Sequence, residues 1–191
     1  MKAAKLCPYV AAGMLLAGTA SAQQWMGRVR VIDIEPDVTA SLNGLDVKSA
    51  VVPELDFTYF VNKNIGIELI LGTAKHDVTL NGAKLGTVRH IPPTLTAQYH
   101  FMPDGPFRPY AGVGLNYTIF RDVKLGGLDV DRSSFGPALQ VGADIPVAPN
   151  LFLNLDLKKI WIKTDVTSGG AHVSDLKINP WVFGVGIGMK F

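Results

Sequence analysis

The last residues of the chain are WVFGVGIGMKF, and from Phe183 to Met189 they alternate between large apolar side chains and glycine. Neighbouring residues of a β-strand point to opposite faces, so one face of this stretch is wholly apolar and the other has little volume. A half-buried strand of a water-soluble sheet shows polar side chains on its outer face. The stretch therefore predicts a strand with its outer face in lipid and its inner face in a crowded interior.

The same alternation recurs along the chain. Although 48% of the residues are hydrophobic, no apolar run after residue 22 approaches the roughly 18 to 20 residues that a membrane helix requires. The apolar residues instead fall into eight segments with a period of two: QWMGRVRVIDIE, AVVPELDFTYFV, IGIELILGTAK, TLTAQYHF, FRPYAGVGLNYTIF, SFGPALQVGADI, NLFLNLDLKKIWI and NPWVFGVGIGMKF.

The connections between these segments alternate in length. Three are short and rich in turn-forming residues, at 62–64, 102–106 and 146–150, and the four others are longer. This pattern predicts an all-β fold, an eight-stranded antiparallel up-and-down transmembrane β-barrel. Each long connection carries Asn-Gly or Gly-Gly, which favours a tight hairpin turn. We expect the strands to continue beyond the membrane as β-ribbons.

The first 22 residues resemble a secretory signal peptide. Lys2 and Lys5 form a basic start, an apolar stretch follows, and Ala20-Ser21-Ala22 supplies small residues for cleavage. We expect a signal peptide over 1–22 and a barrel over 23–191, with the short turns in the periplasm of a Gram-negative bacterium. The single cysteine, Cys7, would leave with the signal.

The net charge of the chain helps to decide which classes of partner it can bind. Of the 18 Lys and Arg residues, two lie in the predicted signal, which leaves 16 against 16 Asp and Glu. This balance argues against nucleic acid as a partner. We expect the outer-membrane lipids as surroundings, and no residue pattern indicates a cofactor or a metal site.

Inward-facing positions differ with height in the predicted barrel. Near the periplasm they are ionic and are expected to form a salt-bridged plug of Arg28, Arg30, Glu54, Asp56, Glu68, Arg108, Asp144, Asp156, Lys158 and Lys190. Toward the outside they are apolar and are expected to form a hydrophobic funnel of Ile32, Ile34, Val52, Ile70, Phe120, Ile160, Ile162 and Val182. A hydrophobic funnel above a salt-bridged plug favours the binding of small hydrophobic solutes, and the plug blocks their passage along the barrel axis.

Prolines suggest where such a solute leaves the barrel. Proline lacks an N–H for the strand ladder, and Pro36, Pro53 and Pro180 fall at the loop-side ends of segments that become neighbours on closure. We expect a lateral opening there, with a competing candidate near Pro109 and Pro137. A purely structural role in ending strands is the other interpretation.

Catalysis is disfavoured by the residue pattern. The nucleophile candidates are Ser133 and Ser134, with His90 or His172 as the base, but neither histidine has a suitably spaced acid partner. We therefore expect no enzyme activity. A surface receptor formed by the exposed hairpins is a second interpretation of the function.

Several stretches resemble segments of the outer membrane protein W family, which includes alkane-uptake proteins: RVRVIDIEPD, LDFTYFVNKNIGIELI, PPTLTAQYHF, RPYAGVGLNYTIF and NPWVFGVGIGMKF. The resemblance implies passage of small hydrophobic molecules through a lateral opening in the wall of an eight-stranded barrel. The terminal Phe191 also resembles the signal that the bacterial outer-membrane assembly machinery recognises.

Overall fold

A computed structural model describes residues 24–191 of the chain. The predicted signal peptide and Cys7 lie outside these residues. The described part consists of fifteen strands: β1 (Trp25–Glu35), β2 (Thr39–Ala40), β3 (Leu45–Val47), β4 (Ala50–Phe60), β5 (Ile65–Gly72), β6 (Ala74–Leu80), β7 (Ala83–Ile91), β8 (Thr94–His100), β9 (Arg108–Lys124), β10 (Leu128–Val130), β11 (Ser133–Ala148), β12 (Leu151–Ile160), β13 (Lys163–Ser168), β14 (Ala171–Lys177) and β15 (Trp181–Lys190).

Eight of the strands close into an antiparallel barrel. In spatial order they are β11, β12, β15, β1, β4, β5, β8 and β9, and pairing of β9 with β11 completes the circle. The predicted eight-stranded up-and-down barrel is confirmed. Within residues 24–191, no helix is long and apolar enough to cross a membrane.

The two faces of the wall follow the predicted alternation. On β12, Leu153 and Leu155 are exposed on the outer face, whereas Asn154 and Asp156 are buried in the lumen. On β15, Phe183 and the apolar residues that alternate with the glycines also face outward. A charged side chain at the lipid midplane costs about 2–4 kcal/mol, so a shift of one residue in register would be strongly unfavourable.

Two of the long connections form β-ribbons, as predicted. Strands β6 and β7 pair as a hairpin, with φ of +51° at Asn81 and +81° at Gly82 in the turn. Strands β13 and β14 form the second hairpin, with positive φ at Gly169 and Gly170. Positive φ at both central residues defines the type I′ turn that Asn-Gly and Gly-Gly favour.

The first long connection differs from the prediction, and the third differs in part. In the third, the expected turn forms at Gly126 and Gly127, with positive φ at both glycines and an antiparallel bridge between Leu125 and Leu128, but the arm that follows is short. In the first, β2 pairs with β14 and β3 pairs with β6, and in the third β10 pairs with β13. These arms contain only two or three residues, too few for a stable hairpin of their own. They add to the edges of the two longer ribbons instead, so that the four connections are joined to one another.

The glycines of β15 make room for the arginines of β1. Gly188 pairs with Arg28, and Gly186 pairs with Arg30. A Cβ atom on Gly186 would collide with the backbone oxygen of Val29, whereas one on Gly184 would first meet side-chain atoms, Arg30 Cδ and Ile32 Cγ2, each at 3.2 Å. Close approach of β1 and β15 therefore depends on Gly186 most directly.

We expect Gly186→Ala to lower the free energy of unfolding by about 1–3 kcal/mol, because an overpacked backbone contact forces β1 and β15 apart. Urea unfolding of the refolded barrel in lipid vesicles measures this change. Gly184→Ala is the matched control and should cost less, since the atoms nearest to its Cβ belong to side chains, not to the backbone, and lie no closer than 3.2 Å. Equal losses for the two variants would contradict the packing argument.

Candidate functional site

The periplasmic half of the lumen is filled by a connected ionic network, here called the charged floor. Its members are eight of the ten predicted plug residues: Arg28, Arg30, Glu54, Asp56, Glu68, Asp144, Asp156 and Lys158. None of these side chains is more than 5% exposed. Three cations therefore face five carboxylates out of contact with water.

Arg28 joins strands from opposite sides of the barrel. Its guanidinium binds Asp144 of β11 in a bidentate manner, at 3.1 Å from Nε to Oδ1 and 2.7 Å from Nη2 to Oδ2. Its Nη1 also donates to Asp56 Oδ1 at 3.0 Å and to Thr58 Oγ1 at 2.7 Å on β4. Such fork-like pairing fixes geometry as well as charge, so Arg28 ties β1 to the neighbouring strand β4 and, across the lumen, to β11.

Arg30 and Lys158 extend the charged floor upward. The Nη1 atom of Arg30 lies 3.0 Å from Glu54 Oε1 and 2.6 Å from Asp56 Oδ2. The Nζ atom of Lys158 donates to the same Glu54 oxygen at 2.8 Å and to Asp156 Oδ1 at 2.7 Å. The floor therefore spans the lumen without an open axial passage.

The two remaining plug candidates, Arg108 and Lys190, lie below this network. The Arg108 Cζ atom lies 5.0 Å from the ring centre of Phe152, and the Lys190 Nζ atom lies 4.3 Å from that of Phe60. Phe60, Phe152 and Met26 form a small buried cluster at the periplasmic end. The expectation that all ten residues share one salt-bridged plug is therefore wrong for these two, which pack on aromatic rings instead.

Above the charged floor lies an apolar layer, here called the chamber. All eight predicted funnel residues face the lumen, and six of them belong to one buried cluster with Ala74 and Ala138: Ile32, Ile34, Phe120, Ile160, Ile162 and Val182. Val52 packs against the cluster, and Ile70 is 3% exposed beside it. Their contact with a solute stays a prediction.

A second apolar cluster, here called the roof, covers the chamber on the extracellular side. It draws its buried members from all four long connections: Leu45, Val47, Val78, Leu125, Val166 and Leu176. Sequence reasoning missed the roof because it treated the connections as separate hairpins. The sequence did contain a signal of the roof. The tripeptide LDV, with two apolar residues on one strand face, occurs in both the first and the third connection.

Between the chamber and the roof lies a small cavity of about 40 Å³. Its lining is apolar except for His76, His90 and Thr164. Since about 10–15 Å³ of such volume accommodates one water molecule, the cavity has room for only a few, and a larger solute can enter only if the roof side chains move apart.

The two histidines belong to the extracellular ribbon of β6 and β7. Their rings are stacked, with centroids 5.0 Å apart and planes inclined by 4°. Burial lowers the pKa of His76, and burial together with the neighbouring His76 lowers the pKa of His90 to about 3. Both rings are therefore neutral at pH 7.

The barrel wall is interrupted beside β5. The β5–β8 ladder ends at Ile70 and Thr94, and pairing resumes in the same register between Ala74 of β6 and His90 of β7. We call the intervening residues, 71–73 and 91–93, the wall gap. Two consecutive prolines occupy positions 92 and 93 and cannot donate to β5.

Each side of the wall gap is bound to a neighbouring strand, and a hydrogen bond from Thr73 Oγ1 to the His90 oxygen, at 3.4 Å, crosses its upper edge. The Pro93 oxygen accepts the Tyr117 amide at 3.0 Å, so the proline segment is bound to β9. On the other side, the β4–β5 ladder ends at Glu54 and Gly72, immediately before Pro53. A cavity lined by Gly72, among other residues, reaches the gap from the chamber.

The other prolines singled out from the sequence lie in continuous wall. The β1–β15 register reaches Glu35 and Trp181, and the Pro180 oxygen accepts the Ile160 amide at 3.2 Å. Pro36 and Pro180 both line the cavity under the roof. Pro109 and Pro137 lie within the unbroken pairing of β9 with β11.

Within the described residues, Ser134 and the histidines considered for catalysis make no hydrogen bonds to one another, and each has a different partner. Ser134 Oγ accepts the Lys163 amide at 3.0 Å, and His90 stacks on His76. His172 lies with Asp165 and Asp175 on the exposed ribbon of β13 and β14, at 3.4 Å from Asp175. Such exposed acidic groups are common on protein surfaces and assign no chemistry by themselves.

The closed barrel, with apolar residues outside and ionic groups inside, defines an outer-membrane β-barrel protein of a Gram-negative bacterium. The model of the OmpW family matches residues 22–191, and the chain belongs to this family.

Individual relatives agree with this assignment. The chain is 38% identical over 182 residues to the uncharacterized outer-membrane protein y4mB of Sinorhizobium fredii. The aligned region covers 87% of this chain and 80% of that protein. It is 34% identical over 188 residues to the dibenzothiophene metabolism operon protein PahQ of Pseudomonas aeruginosa, at 87% and 88% coverage. The crystal structure of the outer membrane protein OprG from Pseudomonas aeruginosa is similar, with a TM-score of 0.79, 27% identity and coverage of 89% and 96%.

We expect Arg28→Met to lower the free energy of unfolding by about 3–5 kcal/mol, because it leaves Asp144 buried without its cation and Asp56 with Arg30 alone. Urea unfolding followed by electrophoretic separation of folded and unfolded barrel measures the loss. Lys63→Met is the control, since Lys63 pairs with Asp104 on the surface and such pairs contribute about 0–1 kcal/mol. A loss below about 1 kcal/mol for Arg28→Met would show that the floor does not hold the barrel together.

Proposed function

We propose that the protein mediates passive uptake of small hydrophobic molecules across the outer membrane. The observation that carries the proposal is the vertical order of the lumen, with an apolar roof and chamber above a closed charged floor. Apolar solutes lose unfavourable water contact on entering the chamber. The floor denies them an axial exit, because crossing it would break buried ion pairs.

The solute enters the barrel through the roof. Its members come from separate connections and meet through apolar side chains, so partial separation requires no break in the ladders of the barrel. The edges of β2, β3 and β10 are the short pairings that such a movement would open first. A solute that replaces these contacts compensates for the apolar area exposed when the roof parts.

The solute leaves the chamber through the wall gap and enters the bilayer. It lies between chamber and bilayer, and the ladder there is already interrupted at Pro92 and Pro93. A solute that passes sideways between Gly72 and Pro92 reaches lipid without crossing the floor. Of the prolines predicted to mark the opening, Pro53 adjoins this gap, whereas Pro36 and Pro180 lie by the cavity under the roof.

The relatives support an apolar solute. The name of PahQ refers to dibenzothiophene metabolism, and dibenzothiophene is an uncharged aromatic molecule. We therefore choose polycyclic aromatic compounds as probes. No step of the proposed passage uses an energy source, a cofactor or a bond-making reaction.

Proteoliposomes whose outer leaflet is lipopolysaccharide, which slows the unaided passage of apolar solutes, test the proposal when they are loaded with an enzyme that degrades dibenzothiophene. We expect dibenzothiophene to be consumed faster with the wild-type protein than in protein-free liposomes, while a hydrophilic sugar of similar size stays outside. Equal consumption with and without the protein would contradict uptake. Passage of the sugar would indicate an aqueous pore instead.

We expect Gly72→Phe to reduce uptake toward the protein-free rate by filling the wall gap. The change introduces no backbone collision, since the nearest atom to a Cβ at this position is the Pro53 oxygen at 3.8 Å. Leu69→Phe is the matched control, because it adds the same ring to the outer face of the same strand, outside the wall gap. Wild-type uptake by a correctly folded Gly72→Phe barrel would place the exit elsewhere.

A further inference from the structure

The cavity under the roof contains a polar site that an exclusively apolar solute would not need. Among its lining residues only His76, His90 and Thr164 carry polar side chains. They come from three strands of two different ribbons, β6, β7 and β13. The remaining lining is aliphatic, aromatic or proline, so hydrogen-bonding groups are confined to these positions.

Thr164 has a hydroxyl without a partner. The residue is 4% exposed, and its Oγ1 atom makes no hydrogen bond within the described residues. A buried donor and acceptor without a partner destabilises a fold. Valine would fill the same space on a β-strand without this loss, so a ligand that completes the hydrogen bond would account for the hydroxyl.

His76 has a defined ring orientation. Its Nδ1 atom lies 2.7 Å from the Lys48 carbonyl oxygen, and a ring nitrogen at that distance from a carbonyl donates its proton. Since burial lowers the pKa of His76 and keeps the ring neutral, Nε2 carries the lone pair. The ring therefore offers an acceptor to a ligand that has a proton to donate.

Charge is absent from the lining of this cavity. Among the described residues that surround it, none carries a carboxylate, an ammonium or a guanidinium group. Burial of an ionised ligand there would therefore be unfavourable. A neutral hydroxyl both donates and accepts, which suits His76 and Thr164 together.

We infer that this cavity binds apolar molecules that carry one neutral hydroxyl group, such as phenols or medium-chain alcohols, in preference to the corresponding hydrocarbons or carboxylates. The inference rests on the uptake function proposed above, of which the cavity is the outer part. The hydroxyl is held between the two ribbons while the hydrocarbon body packs against the roof and the chamber. Selection thus takes place before the solute reaches the wall gap.

Titration of the methyl-labelled full barrel in lipid nanodiscs at pH 7 tests the inference. The probes are naphthalene, 1-naphthol and 1-naphthoate, which share one ring system. The readout is the NMR shift of the Val166 and Leu176 methyl groups, which line the cavity and so separate binding there from partition into lipid. We expect 1-naphthol to bind about 3- to 10-fold more tightly than naphthalene, the range of one net hydrogen bond, and 1-naphthoate to bind most weakly.

Thr164→Val removes the hydroxyl with little change of shape and should abolish the preference for 1-naphthol without weakening naphthalene. Thr79→Val is the matched control, because Thr79 Oγ1 is also buried without a partner but does not line the cavity. It should keep the preference.

Equal affinity of the wild type for naphthol and naphthalene, or an unchanged preference in Thr164→Val, would overturn the inference. The liposome assay run in parallel separates the two proposals. If naphthalene enters the liposomes and binds as tightly as naphthol, uptake stands and hydroxyl recognition fails. If neither probe binds and neither enters, both proposals fail.

Discussion

The structure depends on the small circumference of an eight-stranded barrel, whose lumen is just wide enough for side chains to fill. Charged groups placed there cannot reach water and must satisfy one another. Arg28 and Arg30 do so by binding carboxylates on β4, β5 and β11. The same contacts that stabilise the barrel also close it, so any passage for a solute has to avoid the periplasmic half.

The two halves of the lumen consequently differ in the interactions that hold their side chains in place. In the lower half, charge-assisted hydrogen bonds join strands across the barrel, and a change in one partner affects several others. In the upper half, Ile34, Phe120 and their neighbours meet through apolar contacts, which are non-directional and tolerate rearrangement more easily. The interruption at Pro92 and Pro93 lies in this upper half. Rigidity below and adjustable packing above are what lateral release requires.

The sequence predicted the parts of the structure that follow from local periodicity. Alternation along β12 and β15 gave the strand faces, and the Asn81-Gly82 and Gly169-Gly170 pairs gave the two hairpin turns. The match was good because a charged side chain in lipid is too costly to permit another register.

Features that depend on pairing between distant segments were not predicted. The short arms β2, β3 and β10 could have formed hairpins, and only the positions of the neighbouring ribbons show that they join other strands. The wall gap is a second case, since Pro92 and Pro93 read as part of a connection until the ladders on either side of them are known. The positions of Arg108 and Lys190 on aromatic rings likewise required the three-dimensional arrangement.

Photo-crosslinking tests the path through the barrel most directly. An uncharged aromatic diazirine is activated in outer-membrane vesicles that contain the protein, and the modified residues are identified by mass spectrometry. The account predicts modification of inward-facing chamber and gap residues, such as Ile162, Ile70 and Thr73. It predicts little modification of Gln98 and Thr58, whose buried side chains are hydrogen-bonded to Glu68 and Arg28 of the floor. Comparable modification of the floor would contradict the account, because it would show that apolar solutes descend through the barrel axis.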